Sequence, residues 1–342
     1  MLDISLTERQ EIVSRDRHHS SRDLDTPPDS HYVIAINNCP MSSKLVANFK
    51  QKHLLLTFDA FGTLYQPRTS IPATYARVAK EHGIQDVNEE ELAVSFKKGT
   101  FKSASKQFPN YGKASGLRLH EWWAYLVRDS FQPVTSKPVP DAMIRSLMED
   151  FSSKKAYRLF SDVLPFFTYL KDMNGSAQTP DWPWRSTTVG VITNSDFRVG
   201  GILKSLGLKV RDERNQESEN LSPDISFVTT SYIAGIEKPD AKIFKAAQNT
   251  FSQLISSSEI PAEDIVKVHI GDDLEKDVFG AMGAGWTSIF LDRAGRFKDE
   301  KEEDKQKNLT VSVTHPVTQE EKEISVIKKL CGLRLKLSST SF

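Results

Sequence analysis

Leu54-Leu55-Leu56-Thr57-Phe58-Asp59-Ala60-Phe61-Gly62-Thr63-Leu64 is the stretch from which the rest of the chain can be read. It opens with five apolar or β-branched residues in a row, too short for a helix and without alternation, which is the pattern of a strand covered on both faces. The run stops on a carboxylate, and Gly62 marks a bend just beyond. Four later runs are near-continuously apolar and β-branched: Thr188–Thr193, Ile225–Thr229, Val266–Ile270 and Thr287–Leu291. Helical periodicity separates them over Phe197–Leu206, Ala241–Phe251 and Leu274–Met282. Strands alternating with helices predict an α/β fold, a parallel sheet with right-handed crossovers. In such sheets chemistry gathers beyond the carboxyl ends of the strands.

The residues standing at those ends form a set. The first strand ends on Asp59 and the second on Thr193-Asn194-Ser195. Gly235-Ile236-Glu237-Lys238-Pro239-Asp240 follows the third, and Gly271-Asp272-Asp273-Leu274-Glu275-Lys276-Asp277 follows the fourth. Each residue alone has an ordinary explanation: a turn former, a helix cap, a surface lysine, a complement to a helix dipole. Their placement, one after each of four strands, favours a common site. A carboxylate there can attack phosphorus or an alkyl carbon to form a covalent ester. A hydroxyl and an ammonium can hold the oxygens of a transferring group. Asp272, Asp273 and Asp277 cannot all share one helix face, and suit a strand–loop–helix turn that offers hard oxygen ligands to Mg²⁺.

Between the first and second strands lie about 120 residues, far more than a crossover requires. They read as helices over Ile71–His82, Asn88–Lys102, Leu117–Phe131, Asp141–Phe151 and Phe160–Met173. An insert at this point sits over the active edge of the sheet, as a lid would. Leu119, Trp122, Trp123 and Leu126 fall at helical spacing and are expected in the insert's own core. His120 is expected at the surface, and Arg77, Arg118 and Lys106 are candidates to reach an anionic substrate.

These four segments, in this order, resemble the haloacid dehalogenase (HAD) superfamily of hydrolases over roughly residues 52–295. The diagnostic pieces are Thr63-Leu64 after Gly62, Lys238-Pro239-Asp240 and Gly271-Asp272. The insert is similar to the all-helical C1-type cap of that superfamily, and the core to its Rossmann-like sheet. Trp122-Trp123 and Lys238-Pro239-Asp240-Ala241-Lys242-Ile243-Phe244 further resemble the eukaryotic haloacid dehalogenase-like hydrolase domain-containing subgroup. The resemblance implies that Asp59 is the nucleophile and that Thr193, Asn194 and Lys238 bind the substrate. It implies further that Mg²⁺ is held by Asp59, the backbone carbonyl of Phe61, and Asp272 with Asp273 or Asp277.

One position departs from the pattern. HAD phosphatases carry a second Asp two residues after the nucleophile as general acid and base, and here that residue is Phe61. Such help is worth about 10²–10⁴-fold. The expected activity is therefore a Mg²⁺-dependent phosphohydrolase with weakened acid–base catalysis, acting on a small phosphorylated metabolite. The first alternative is a metal-free 2-haloacid dehalogenase, whose members have an aromatic residue at this position, because a halide leaves without a proton. The second is a catalytically weak HAD fold used for binding.

Composition narrows the partners. Lys+Arg and Asp+Glu both number 45, so zero net charge provides no global attraction to nucleic acid or anionic lipid. No apolar run nears the ~18 residues of a membrane span. Cys39 and Cys331 are the two cysteines and neither has a metal-type spacing, which fits a reducing compartment. The first 40 residues hold seven acids and four Arg and lack an apolar stretch, unlike a transit or secretion peptide. A cytoplasmic or nuclear location is expected. Residues 1–50 read as a polar, disordered extension and Lys298–Lys305 as a solvated charge run. The expected organisation is thus a core of 51–66 and 175–342 interrupted by an insert of 67–174.

Overall fold

A computed structural model describes residues 52–97, 100–174, 182–211, 222–255, 260–297, 309–333 and 337. The expected N-terminal extension, the charge run 298–305 and Cys39 lie outside these. The core is a seven-stranded sheet in the order β5-β4-β1-β6-β7-β9-β8. Its strands are β1 His53–Phe58, β4 Ser186–Thr193, β5 Phe227–Thr230, β6 Ile265–Gly271, β7 Thr287–Leu291, β8 Leu309–Thr314 and β9 Glu321–Ile327. All pairings are parallel except that of β8 with β9.

β1 lies at the centre, with Phe58 opposite Val191 on one side and Ile270 on the other. Its residues alternate between two layers, as the pleat requires. Leu54, Leu56 and Phe58 join one core, where Phe58 meets Phe166 and Phe167 of the helix Val163–Asn174. Leu55 joins the other, with Ile192, Phe227 and the buried face of the helix Ala241–Leu254. That face is Ile243, Phe244, Ala247 and Phe251, and burying each of its larger side chains contributes about 1.5–3 kcal/mol. Asp240 caps the helix by accepting from the Lys242 amide, and so fixes where the Lys238 loop ends.

Three features differ from the sequence expectation. The insert is not wholly helical: its stem is a two-stranded antiparallel ribbon, β2 Tyr65–Pro67 with β3 Tyr157–Leu159. The Tyr65 and Tyr157 rings pack 5.0 Å apart and close it. The helix Val163–Asn174, read from sequence as the last of the insert, packs on the sheet through Phe166 and Phe167. The hairpin β8–β9 lengthens the sheet beyond the five strands read from the sequence. β8 alternates half-buried and exposed residues, since an outermost strand buries little, and so lacks the apolar run used to find the others. Among the described residues no helix is long and apolar enough to cross a membrane.

Candidate active site

Four strand ends converge. Asp59, 8% exposed, follows β1 directly, and its amide donates to the Ile270 carbonyl at 2.8 Å, tying it to β6. The turn behind it needs glycine. Gly62 has φ +85°, and a Cβ there would lie 2.6 Å from Asp272 Oδ2. Gly271 is equally constrained, since its Cβ would meet the Asp277 carboxylate at 2.1 Å. The two glycines let the first and fourth strand ends approach until Asp59, Asp272 and Asp277 each offer an oxygen within 4.8 Å of the others.

Lys238 enters from the loop before the helix Ala241–Leu254 and is fully inside, with a side chain 1% exposed. Its Nζ donates to Asp59 Oδ1 at 2.7 Å, Asp277 Oδ1 at 2.6 Å and the Ile192 carbonyl at 2.8 Å. An ammonium has three N–H donors, so all are satisfied. Burial works against its charge, but the Asp277 and Asp59 carboxylates outweigh it and hold the pKa above the ordinary lysine value. Burial also penalises the Asp277 carboxylate, yet Lys238, with His269 behind it, holds its pKa below the usual range.

The remaining predicted residues sort clearly. Thr193 ends β4, is 2% exposed and directly follows Ile192, whose carbonyl receives Lys238. The Asn194 side chain pairs with the Lys238 backbone in both directions, donating to its carbonyl at 2.8 Å and accepting from its amide at 2.7 Å. Asn194 therefore holds the lysine loop, a task that uses the amide the sequence reading assigned to substrate. Asp273 departs from its candidate role as a metal ligand. Its carboxylate caps the following turn, accepting from the Glu275 and Lys276 amides, and pairs with Lys276 at 3.0 Å. That turn, Leu274–Phe279, is a π-helix rather than the expected α-helix. The Asp273 amide donates to Asp277 Oδ2 at 3.0 Å, so Asp277 folds back on its own strand end. Phe61 is buried, with its ring edge-on to Tyr65 and Tyr157.

Thr57, His269, Asp196 and Arg198 carried no role in the sequence reading. His269, wholly buried on β6, lies 3.3 Å from Asp277 Oδ1 through Nε2 and 2.9 Å from the Thr57 hydroxyl through Nδ1. Burial holds it below the ordinary histidine pKa, so it is neutral. A histidine near the end of the strand run Val266–Ile270, two residues before Gly271-Asp272, was the available signal. Asp196 and Arg198 form a buried fork, Nε to Oδ1 at 2.9 Å and Nη2 to Oδ2 at 2.7 Å. Burial opposes the Asp196 charge, but Arg198 keeps its pKa low.

The insert meets this end of the sheet through named bonds. The Tyr111 hydroxyl donates to the Asn194 carbonyl at 3.1 Å, Asn110 to the Ser231 carbonyl at 2.8 Å, and Trp123 Nε1 to Asp196 Oδ2 at 3.2 Å. Trp122, Trp123, Leu119 and Leu126 form the insert's core as expected, and His120 is exposed. Arg77 and Arg118 are paired at the surface, with Asp150 and Glu121 respectively.

Comparison with known proteins gives the same assignment. Residues 235–317 match the HAD-hydrolase-like family model. An uncharacterized hydrolase of Schizosaccharomyces pombe is 32% identical over 242 residues, covering 71% of this chain and 92% of its own. Haloacid dehalogenase-like hydrolase domain-containing protein 3 of Bos taurus is 29% identical, over 69% of this chain and 81% of its own. The fold matches an L-2-haloacid dehalogenase with a TM-score of 0.51 at 16% identity, over 84% of this chain and 100% of that one. With this relationship in place, the chain belongs to the HAD superfamily of hydrolases, within the subgroup typified by haloacid dehalogenase-like hydrolase domain-containing protein 3.

Proposed function

We propose that the protein is a phosphohydrolase that acts through an aspartyl-phosphate on Asp59 and requires Mg²⁺. The observation carrying this reading is the cluster of Asp59, Asp272 and Asp277 around a single ammonium. Three carboxylates brought within reach of one another beside one Lys238 concentrate hard oxygen donors that suit a small divalent cation. Asp277 spends its oxygens on Lys238, His269 and the Asp273 amide, so Asp59 and Asp272 are the carboxylates best placed to hold the ion. When bound, the ion would neutralise charge on the oxygens of the transferring group.

The chain's own groups then divide the work. An Asp59 carboxylate oxygen attacks phosphorus, and the bond to the leaving oxygen breaks with its electron pair departing on that oxygen. Lys238 offsets the charge gathering at the transferring group and orients Asp59, while Asn194 fixes the loop that carries the lysine. Water cleaves the resulting acyl phosphate, restoring Asp59 and releasing phosphate. The insert, bonded to the loops after β4 and β5, excludes bulk water as a lid does. Phe61 cannot deliver a proton, and burial pushes the neighbouring Tyr65 phenol up, so that it stays neutral and is no base. Substrates whose leaving groups depart unprotonated, such as aryl and acyl phosphates, are accordingly the best.

The experiment is an aryl- and acyl-phosphate screen with Mg²⁺ and with EDTA. The expected result is turnover only with Mg²⁺, reduced by about 10³-fold or more in Asp59→Asn. Turnover that survives this substitution removes Asp59 from the nucleophile's role. The aromatic wall around Phe61 also supports a second reading, 2-haloacid dehalogenation, in which a halide leaves without a proton. Halide release in EDTA, with no phosphate turnover, would establish that one instead.

A further inference from the structure

Beside Phe61 is a cavity of about 20 Å³, room for about one water. The turn after β1, the loop after β4 and the insert all contribute walls, including Phe61, Tyr65, Trp123, Tyr157, Ser195 and Arg198. The walls are mostly rings, and burial keeps the Tyr65 and Tyr157 phenols protonated. Arg198 and Asp196 bring opposite formal charges here, and two of the five N–H donors of the Arg198 guanidinium are already used. Asp196 occupies the side-on edge formed by Nε and Nη2, and the guanidinium lies over the Trp123 ring at 4.7 Å. Nη1, on the end-on edge, is buried and has no hydrogen-bond partner among the described residues. An N–H group left unmade in the interior costs free energy, so its persistence calls for a function.

We propose that Arg198 Nη1 is the donor that selects the substrate, receiving a carboxylate oxygen on its leaving-group arm. This rests on the preceding reading for the other end of the substrate, the group transferred to Asp59. The end-on edge of a guanidinium is planar and matches a planar carboxylate. A carboxylate is also smaller than a second phosphate, so it needs the smaller displacement of the insert from a cavity this size. Asp196 acts through Arg198 and is a positioning residue, since it fixes the plane in which Nη1 is presented. The substrate class that follows is a small phosphate ester or anhydride with a carboxylate on the departing group.

The test uses two probe pairs on the full chain. The first is 4-carboxyphenyl phosphate against 4-carbamoylphenyl phosphate, read as kcat/KM with Mg²⁺. The second is the corresponding pair of non-hydrolysable benzylphosphonates, read as binding by calorimetry. Wild type is expected to prefer the carboxylate by about 10–100-fold in both, the value of one charge-assisted hydrogen bond. Arg198→Lys keeps a cation for Asp196 but loses the planar edge, and should bring the ratio close to one. If that variant does not fold, Asp196→Asn with Arg198→Gln replaces the ion pair with a neutral hydrogen-bonded pair and should give the same ratio. Equal affinity for both phosphonates in wild type overturns the proposal, as does a preference that survives in a folded variant. Arg198-dependent binding preference without hydrolysis would uphold the carboxylate site and refute the phosphohydrolase reading instead.

Discussion

At the carboxyl ends of β1 and β6, charge is concentrated: three carboxylates gather beside one ammonium, placed by the two strand ends and the turn that follows β6. The wall beside it is built largely of rings from the insert and the turn after β1, with one ion pair, Asp196–Arg198 of the loop after β4, whose charges cancel. The contrast separates two tasks. The strand ends are held by parallel pairing on both sides of β1, so their geometry does not depend on which ligand is present. The ring-walled side joins side chains of the insert to those of the turn after β1 and the loop after β4, bonded at a few points such as Tyr111 to Asn194. A reaction common to many substrates belongs to the first region, and discrimination among them to the second.

The sharpest way to break this comparison is to remove the ammonium. Lys238→Met leaves Asp59 and Asp277 buried against each other, and breaking a buried pair this way costs about 3–5 kcal/mol. Urea unfolding measures it. Arg198→Lys, on the ring-walled side, is expected to cost clearly less because Asp196 keeps a cation. Equal losses would mean that the two regions are not built differently.

That contrast was only half legible in the sequence. Asp59, Thr193, Lys238 and Asp272 could be read because each stands at or beyond the end of a strand-sized run rich in apolar and β-branched residues, and strand order then dictates where they meet. Asp277 could not be separated from Asp273 because both lie within one turn, and only the π-helical geometry sends one back to Lys238 and the other to the helix cap. Asn194 looked like a substrate ligand because nothing in its neighbours announces a backbone 44 positions away as its partner. The stem ribbon escaped notice because three-residue strands are too short to show a period. Asp196 and Arg198 carry no pattern of their own; their importance comes from burial beneath the insert.

Acidification sharpens the comparison more gently, since it acts away from the ring wall. Burial first, and Arg185 second, holds His53 at the start of β1 at a pKa of about 4. The unfolded chain takes up a proton there from about pH 6.5, whereas the folded chain does not until about pH 4. Stability is therefore fully present above the unfolded value and declines as pH falls through this window. Asp277 adds to the loss at lower pH: its folded pKa is depressed, so its contribution holds above the ordinary carboxylate range and disappears below it. Urea midpoints between pH 7 and 4 should fall in wild type and fall less in His53→Gln. Parallel curves for the two proteins would remove His53 from the account.

The central claim is that chain segments as far apart as Asp59 and Asp277 meet as one cation-holding nucleophile site. Its most direct measurement is the melting temperature of wild type and Asp272→Asn with and without Mg²⁺. A ligand at about 100 times its Kd stabilises by about 2.7 kcal/mol, several degrees for a chain of this size. The account predicts that rise in wild type and its loss in Asp272→Asn. A wild-type melt indifferent to saturating Mg²⁺, or an equal rise in both proteins, would contradict it.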